Sequence, residues 1–260
     1  LRLGRPGPVL LEIPSDILSD EIPDGMNTSY TNVENRKSAG DPQDIKTAAK
    51  MLLGSRRPVI QAGQGVLYGK ASKQLLELAE LTRVPVMSSM AGKSSFPETH
   101  ELALGTRSSS TTDMVVHFID KADMIFGVGT SFTRIHYGMN DFDKKTLVQI
   151  TNSSDDINKD YSPDHAVLGD VQLVLEQLIV EVKELLGSSS RNESFKFEDE
   201  IASVRESWFK EWMPHLQSDE TPISPYRVIW ELMQNTNPAE TIVTHDSGSP
   251  RDQICLLYTS

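Results

Sequence analysis

The sequence predicts an α/β protein built on a doubly wound, mostly parallel, Rossmann-like sheet, with partial α/β domains on either side. Three observations favour this class. Short apolar runs alternate with stretches of helical period, the connections between them are short, and glycines follow several of the runs. Such alternation is typical of a parallel sheet with helices on both faces.

The first complete unit begins at Asp41-Pro42, which has the pattern of a helix N-cap followed by the first helical residue. Gly54 is expected to end this helix, and residues 58–62 are expected to form a short buried strand. The apolar residues that define the helical face are Ile45, Ala48, Ala49, Leu52 and Leu53.

The alternation continues along the chain. Leu75, Leu78, Ala79 and Leu81 have helical spacing before a strand at residues 84–87. A helix near 112–119 and strands at 124–128 and 146–150 follow. A sustained apolar stripe then predicts a helix over residues 171–186, and Gly187 is expected to end it.

The flanks carry weaker signals. Residues 9–14 are predicted to be a strand, and residues 28–40 a polar linker. Beyond a second linker, an aromatic helix containing Trp208 and Trp212 is expected to end at Pro214 and to pack against a neighbouring domain. A helix at 226–234 and a buried strand at 241–244 are predicted to follow.

Composition excludes some partners. The 260 residues include 25 basic and 37 acidic side chains, and the formal charge of −12 repels nucleic acid and anionic membranes. The single cysteine excludes an internal disulfide, and no apolar run approaches the roughly 20 residues of a membrane span. We therefore expect a cytoplasmic protein that binds neither nucleic acid nor membranes.

Three glycine-containing segments follow predicted strands, at residues 63–65, 88–93 and 127–131. Ligands of doubly wound sheets bind at the carboxyl ends of the strands, so these segments predict one crevice. Glycines that serve only tight turns are the alternative at each site. Tyr68 breaks the glycine spacing of a nicotinamide fingerprint. The candidate ligand-binding residues are Gly63, Gly65, Ser89, Gly129 and Thr130.

Signals for catalysis are weak. The six histidines lack metal-ligand spacing, and no nucleophile elbow is present, so we assign no catalytic residue and no metal ligand within this chain. Asp246 is different because it follows a predicted buried strand and precedes Ser247-Gly248. It is a candidate for a crevice-facing carboxylate, with a turn-capping role as the alternative.

In order and spacing, several segments resemble the thiamine-diphosphate-dependent enzymes that include acetolactate synthase and pyruvate oxidase. The resemblance covers nearly the whole chain, and no single segment carries it. The matching segments are Gly7-Pro8-Val9-Leu10-Leu11-Glu12-Ile13-Pro14, Arg57-Pro58-Val59-Ile60-Gln61-Ala62-Gly63-Gln64-Gly65, Gly92-Lys93-Ser94-Ser95-Phe96-Pro97-Glu98, Ala122-Asp123-Met124-Ile125-Phe126-Gly127-Val128-Gly129, His165-Ala166-Val167-Leu168-Gly169-Asp170 and Thr244-His245-Asp246-Ser247-Gly248.

The resemblance implies a fragment of a 2-oxo acid decarboxylase or carboligase that uses thiamine diphosphate and Mg²⁺ and works as a homodimer or homotetramer. In such enzymes the cofactor serves as the electron sink. The activating glutamate is expected before residue 1 and the metal motif after residue 260, so the fragment alone is expected to be inactive.

Two departures from the family pattern concern ligands. Flavin-binding members carry arginine near the Gly129 loop and Asp-Ile-Asp after the next strand. This chain has Ser131 and Thr151-Asn152-Ser153 there, which argues against FAD. Relatives often have Gly-Gln-His-Gln at the diphosphate loop, whereas this loop carries Asp246, Gly248, Ser249 and Arg251, with Arg251 as a substitute diphosphate donor.

The resemblance also divides the chain into segments. Residues 1–27 are expected to end the pyrimidine-binding domain, 28–40 to be a linker, 41–187 the central domain, 188–222 a linker with a helix, and 223–254 the start of the diphosphate-binding domain. Residues 255–260 are interpreted as a non-native tail. A stand-alone nucleotide- or flavin-binding module and a structural oligomerisation domain are the alternative functions.

Overall fold

A computed structural model gives the architecture of the chain. It describes residues 5, 7–26, 29–32, 34, 36–108, 110–134, 142–189, 191, 196–237, 240–248, 250, 251, 253 and 254. The prediction of a tail at 255–260 and the candidate Ser249 lie outside the described residues.

Six strands form one parallel sheet. They are β1 (Pro58–Ala62), β2 (Val86–Ser89), β3 (Ala103–Arg107), β4 (Met124–Val128), β5 (Thr146–Thr151) and β6 (His165–Leu168). The strand order is β3-β2-β1-β4-β5-β6, and every adjacent pair is parallel. The chain therefore reverses its direction of winding between β1 and β4, which is the topological switch point of a doubly wound sheet.

The described helices are α1 (Ser15–Leu18), α2 (Pro42–Gly54), α3 (Gln64–Tyr68), α4 (Ser72–Thr82), α5 (Asp113–Lys121), α6 (Val171–Leu186), α7 (Phe197–Leu216) and α8 (Pro225–Asn235).

The predicted caps are confirmed at both ends of the central unit. The Asp41 side chain accepts hydrogen bonds from the amides of Gln43 and Asp44, and Gly187 follows the last turn of α6.

Two apolar cores lie on opposite faces of the sheet, which confirms the predicted α/β class. Helices α2, α4 and α6 cover one face, where Leu52, Leu75 and Leu178 are fully buried. Helices α5 and α7 cover the other face, where Phe118 and Trp208 are buried. The aromatic residues of α7 thus pack against the sheet domain and against α8, with the Trp208 and Trp212 rings stacked 5.5 Å apart.

Two predicted strands do not form. Residues 9–14 and 241–244 belong to neither a strand nor a helix, and the side chains of Leu10 and Ile242 are 85% and 92% exposed. Their apolar composition suits a strand, but a strand also needs a neighbour for its backbone hydrogen bonds. None of the described sheet strands pairs with either segment. Asp246 consequently does not end a buried strand, which corrects the prediction for that residue.

Smaller corrections concern boundaries. Pro214 lies inside α7, which continues to Leu216, and Gly54 is the last residue of α2. Strand β3 was not predicted, because Gly105 and its polar neighbours have low strand propensity. The domain boundaries given above stay predictions, although the entire sheet falls within residues 41–187.

Candidate functional site

A cavity of about 650 Å³ opens at the carboxyl ends of the strands, beside the switch point between β1 and β4. We call it the cleft. All five candidate crevice residues line it, and the three glycine-containing segments meet there as predicted. Those five are Gly63, Gly65, Ser89, Gly129 and Thr130. Whether they bind a ligand stays a prediction.

The glycines have a structural role in the same place. The turn after β1 packs directly on the turn after β4, since the Gly65 amide donates to the Gly129 carbonyl at 2.9 Å. A Cβ at Gly63 would lie 2.2 Å from that carbonyl oxygen. Gly129 itself has φ +60°, a left-handed conformation that favours glycine. The alternative interpretation, glycine for tight packing of turns, is therefore satisfied at residues that also line the cleft.

The two hydroxyl candidates are engaged in local hydrogen bonds. Ser89 Oγ accepts from the amide of Gly92, which caps a short 3-10 helix over Met90–Gly92. Thr130 Oγ1 accepts from the amide of Phe132, while the Thr130 carbonyl accepts from Gln149 Nε2. Each hydroxyl therefore stabilises the conformation of a local turn at the wall of the cleft.

Four basic side chains and two acidic ones line the cleft of a chain whose net charge is −12. The local excess of positive charge favours an anionic ligand. The basic residues are Arg5, Arg36, Lys37 and Arg107, and the acidic residues are Asp156 and Asp170.

Part of the predicted linker forms one wall of the cleft. Lys37 Nζ lies 3.2 Å from Asp170 Oδ1 and donates to Gln172 Oε1 at 2.7 Å. The Asp170 amide donates to the Ser38 carbonyl at 2.8 Å. These contacts hold residues 36–38 against the start of α6, so the linker contributes directly to the site. The sequence indicated only a polar connection here.

The carboxylate of Asp156 is buried in the cleft just beyond β5. Thr151 Oγ1 donates to Asp156 Oδ2 at 3.0 Å, and Arg5 Nη1 lies 2.6 Å from Asp156 Oδ1. Thr151 stands where flavin-binding relatives were expected to have an aspartate. Asp156 therefore places a carboxylate near that position, although it lies five residues further along the chain.

Two further cleft residues, Gln61 and Arg107, were missed by sequence reasoning. Gln61 stands in an apolar strand, and Arg107 ends the unpredicted strand β3. Both are almost completely buried. A buried polar residue at the carboxyl end of a strand was the available signal, but it required correct assignment of β3 and of the strand faces.

The opposite, amino edge of the sheet carries a separate charged cluster. Glu200 of α7 accepts hydrogen bonds from Arg57 at 2.9 and 2.8 Å, from Lys121 at 3.2 Å, and lies 2.7 Å from His117 Nε2. Burial raises the pKa of Glu200, but the hydrogen bonds from Arg57, His117 and Lys121 outweigh it and lower that pKa to about 2. This cluster joins α7 to β1 and α5.

A second carboxylate of the amino edge caps backbone amides. Burial opposes ionisation of Asp123, but hydrogen bonds from the Ser55 hydroxyl and from the amides of Arg56 and Arg57 lower its pKa overall. Arg191 donates to the carbonyls of Ser55 and Thr82, at the ends of α2 and α4. The carboxylates of Glu200 and Asp123 at the amino edge are thus paired internally.

The predicted diphosphate loop lies elsewhere. Asp246 and Gly248 are exposed, and neither they nor Arg251 line the cleft. A Cβ at Gly248 would meet no atom within 4 Å. The described part of this loop therefore does not form a close-fitting cradle for a diphosphate. The loop candidates and the cleft candidates are not brought together in one site.

The part of the chain that the structure describes contains neither a cluster of metal-binding side chains nor a membrane-spanning helix. No group of three or more His, Cys, Asp or Glu side chains has the arrangement of a metal site. The described helices also include none with both the length and the apolar character needed to cross a membrane.

Comparison with known proteins identifies the class to which this fold and cleft belong. The sequence profile described as "Thiamine pyrophosphate enzyme, central domain" matches residues 45–178, which is half of the chain and includes all six strands of the sheet. The chain belongs to the thiamine pyrophosphate (thiamine diphosphate) enzyme family. The resemblance seen in the sequence is confirmed.

Two of the proteins similar in sequence to this chain carry the names acetolactate synthase and glyoxylate carboligase. The probable acetolactate synthase large subunit of Methanococcus aeolicus is 30% identical over 94% of this chain and 43% of the relative. The glyoxylate carboligase of Escherichia coli O157:H7 is 30% identical over 89% of this chain and 39% of the relative. The chain thus spans about two fifths of the length of these relatives.

A solved structure shares the fold. The benzoylformate decarboxylase of Polynucleobacter necessarius superposes with a TM-score of 0.62 over 93% of this chain and 42% of that one, at 19% sequence identity. The similarity extends beyond the sheet into both flanking regions.

Proposed function

We propose that this chain is part of a 2-oxo acid decarboxylase or carboligase that depends on thiamine diphosphate and Mg²⁺. The observation that carries the proposal is family membership together with relatives named acetolactate synthase and glyoxylate carboligase, each matched over about nine tenths of this chain. Both names describe enzymes that join carbon units. In this proposal the sheet domain supports the catalytic neighbours, and the chain alone is inactive.

The cofactor contacts of this chain are proposed from the resemblance alone. Thiamine diphosphate supplies the electron sink for 2-oxo acid chemistry when it is bound. The described loop residues Asp246, Gly248 and Arg251 form no cradle for it by themselves, so we derive no catalytic step from them. Arg251 is proposed to donate to a diphosphate oxygen, since a guanidinium suits bidentate contact with phosphate.

A second candidate function belongs to the cleft, which we propose to bind a nucleotide. The cleft lies at the switch point where doubly wound sheets bind such ligands, has a volume of about 650 Å³, and has an excess of basic residues. Ser131 and the run from Thr151 to Ser153 depart from the flavin-binding pattern, so FAD is not assumed. This binding function is compatible with the enzymatic one.

We also propose that the whole protein is a cytoplasmic homodimer or homotetramer that acts on a small 2-oxo acid. The family resemblance supports these assignments. The large exposed apolar side chains of residues 9–26 fit a segment that other parts of the assembly cover.

The enzymatic proposal is tested on the polypeptide that contains this chain. After removal of thiamine diphosphate and Mg²⁺ by dialysis against chelator, CO₂ release from pyruvate, glyoxylate and benzoylformate is measured with each cofactor restored. We expect activity only when both are present. A purified protein that consumes neither acid nor benzoylformate, under conditions where it binds thiamine diphosphate, would refute the proposed activity.

Arg251 is tested in the same assay. Arg251→Ala is expected to raise the thiamine diphosphate concentration for half-maximal activity by at least about tenfold, the effect of one lost charged hydrogen bond. Lys183→Ala is the control, because Lys183 is exposed on α6 and pairs only with exposed Glu77 in the described structure. An unchanged cofactor requirement in Arg251→Ala would remove Arg251 from the site.

A further inference from the structure

Among the described residues that line the cleft, Gln61 has a buried amide oxygen without a hydrogen-bond partner. Gln61 is only 4% exposed, it lines the cleft, and its Oε1 has no hydrogen-bond partner among the described residues. An unsatisfied buried polar atom is unfavourable, and natural structures keep few of them. A ligand in the cleft is the partner that the position makes available.

Arg107 supplies a complementary donor. It is 3% exposed, lines the cleft at the end of β3, and its guanidinium lies 4.4 Å from the centre of the Phe142 ring. Stacking on an aromatic ring fixes the plane of a guanidinium, and its N–H groups lie in that plane. The side chain is therefore suited to present N–H groups to a planar acceptor.

The strand register places both side chains on the same face of the sheet. Gln61 is level with Met87, Met87 with Gly105, and Arg107 lies two residues beyond Gly105. Two strand spacings and two residue rises separate their Cα atoms by about 12 Å. Both side chains line the same cleft.

An aromatic wall stands beside this pair. Gly127 on β4 is level with Gln61, and the Phe132 ring covers it so closely that a Cβ there would lie 2.3 Å from Phe132 Cζ. Phe132 in turn packs edge to face on Phe142, with ring centres 5.7 Å apart. The polar pair thus lies next to apolar ring surfaces, as in pockets for planar ligands.

We propose that Gln61 and Arg107 are the specificity-determining pair of the cleft. They recognise, by hydrogen bonds, the edge of a heterocycle that carries an N–H donor beside an acceptor. Gln61 Oε1 accepts from the N–H, and Arg107 donates to the neighbouring ring nitrogen or carbonyl. Adenine and isoalloxazine both present such an edge. The phosphates of the nucleotide extend toward Arg36 and Lys37 at the linker wall. This inference rests on the proposed nucleotide-binding function of the cleft.

The test measures binding to this 260-residue chain by isothermal titration, with ADP, FMN and inorganic pyrophosphate as probes. ADP or FMN is expected to bind, and pyrophosphate to bind at least 100-fold more weakly because it lacks the ring. The arm that binds identifies the heterocycle. N6,N6-dimethyl-ADP and N3-methyl-FMN lack the N–H donor and are expected to lose about tenfold in affinity.

Variants connect the lost affinity to the residues. Gln61→Leu is expected to bind the unmodified nucleotide about tenfold more weakly than the parent, and to show no further loss with the methylated one. Arg107→Lys, which keeps the charge but not the planar fork, is expected to lose about tenfold. Gln74→Leu is the matched control, because Gln74 Oε1 is also buried and unpaired in the described structure but lies on α4, outside the cleft.

The outcomes separate the two claims. If neither ADP nor FMN binds a parent chain that melts cooperatively, the nucleotide-binding function fails, and the inference fails with it. In a second outcome, a nucleotide binds with an affinity that neither the Gln61→Leu substitution nor methylation of the nucleotide lowers. In that case the nucleotide-binding function of the cleft survives, and the recognition by Gln61 and Arg107 is refuted. Loss of affinity in Gln74→Leu would also overturn the assignment.

Discussion

Two sets of buried polar groups, one at each edge of the sheet, differ in how they are paired. At the amino edge, Glu200 and Asp123 are paired with neighbouring donors, and the pKa of each is lowered accordingly. At the carboxyl edge, Gln61 is buried with an unpaired oxygen beside a large cavity. The difference indicates that the amino edge holds the fold together, while the carboxyl edge is arranged for a ligand.

The largest expected effect comes from breaking the contact between the turns at the carboxyl edge. Gly63→Ala would place a Cβ 2.2 Å from the Gly129 carbonyl oxygen, where backbone must move to relieve the overlap. We expect a loss of about 3 kcal/mol or more in the free energy of unfolding, measured in urea.

Gly54→Ala is the matched control for this substitution. Gly54 ends α2, and an added Cβ there would meet no atom within 4 Å. We expect a change of less than about 1 kcal/mol, with alanine favoured by its helix propensity. Equal effects at the two glycines would show that the turns tolerate displacement and that the cleft walls are not fixed by this contact.

An intermediate effect is expected at the amino edge. The lowered pKa of Glu200, about 2 against an ordinary 4.5, means that the ionised form stabilises the folded state. This stabilisation is complete above about pH 4.5 and is lost as pH falls toward 2. After allowance for solvent screening, Glu200→Gln is expected to lower the free energy of unfolding by about 1–2 kcal/mol at pH 7.

The pH dependence distinguishes this cluster from a surface ion pair. The difference between the parent and Glu200→Gln should shrink as pH falls below about 4.5, in urea unfolding series at several pH values. Glu77→Gln is the control, because its 2.6 Å contact with Lys183 joins two side chains that are each about half exposed. It should change stability by no more than about 0.5 kcal/mol. Equal effects would mean that the Glu200 cluster is not structural.

The sequence predicts the central unit well for a physical reason. Helices α2 and α6 combine side-chain caps with an apolar face, and strands β1, β4 and β5 are buried apolar runs. In each case local propensity and tertiary burial favour the same element. The carboxyl-edge glycines Gly63 and Gly129 could be located for the same reason, since they directly follow such runs.

Features that depend on distant neighbours could not be predicted in this way. Strand β3 is stabilised by its pairing with β2 and not by its own composition, so Arg107 was overlooked with it. Residues 241–244 show the converse case, an apolar run without a pairing strand among the described residues. The unsatisfied oxygen of Gln61 depends on packing around a single side chain, which no local pattern reveals.

The most direct test of the contrast between the edges compares two buried glutamines on neighbouring parts of the sheet. Gln149 is fully buried, and its Nε2 donates to the carbonyls of Thr130 and Asp156, whereas its Oε1, like that of Gln61, has no partner in the described structure. Gln149→Leu would leave the two carbonyls without their donor and should therefore destabilise the ligand-free chain by about 2 kcal/mol. Gln61→Leu would remove an unpaired buried oxygen and no described hydrogen bond, and should stabilise the chain by up to about 1 kcal/mol. The measurement is the free energy of unfolding of both variants and the parent in urea. Opposite signs are predicted, and a clear loss of stability in Gln61→Leu would contradict the view that Gln61 is held for a ligand.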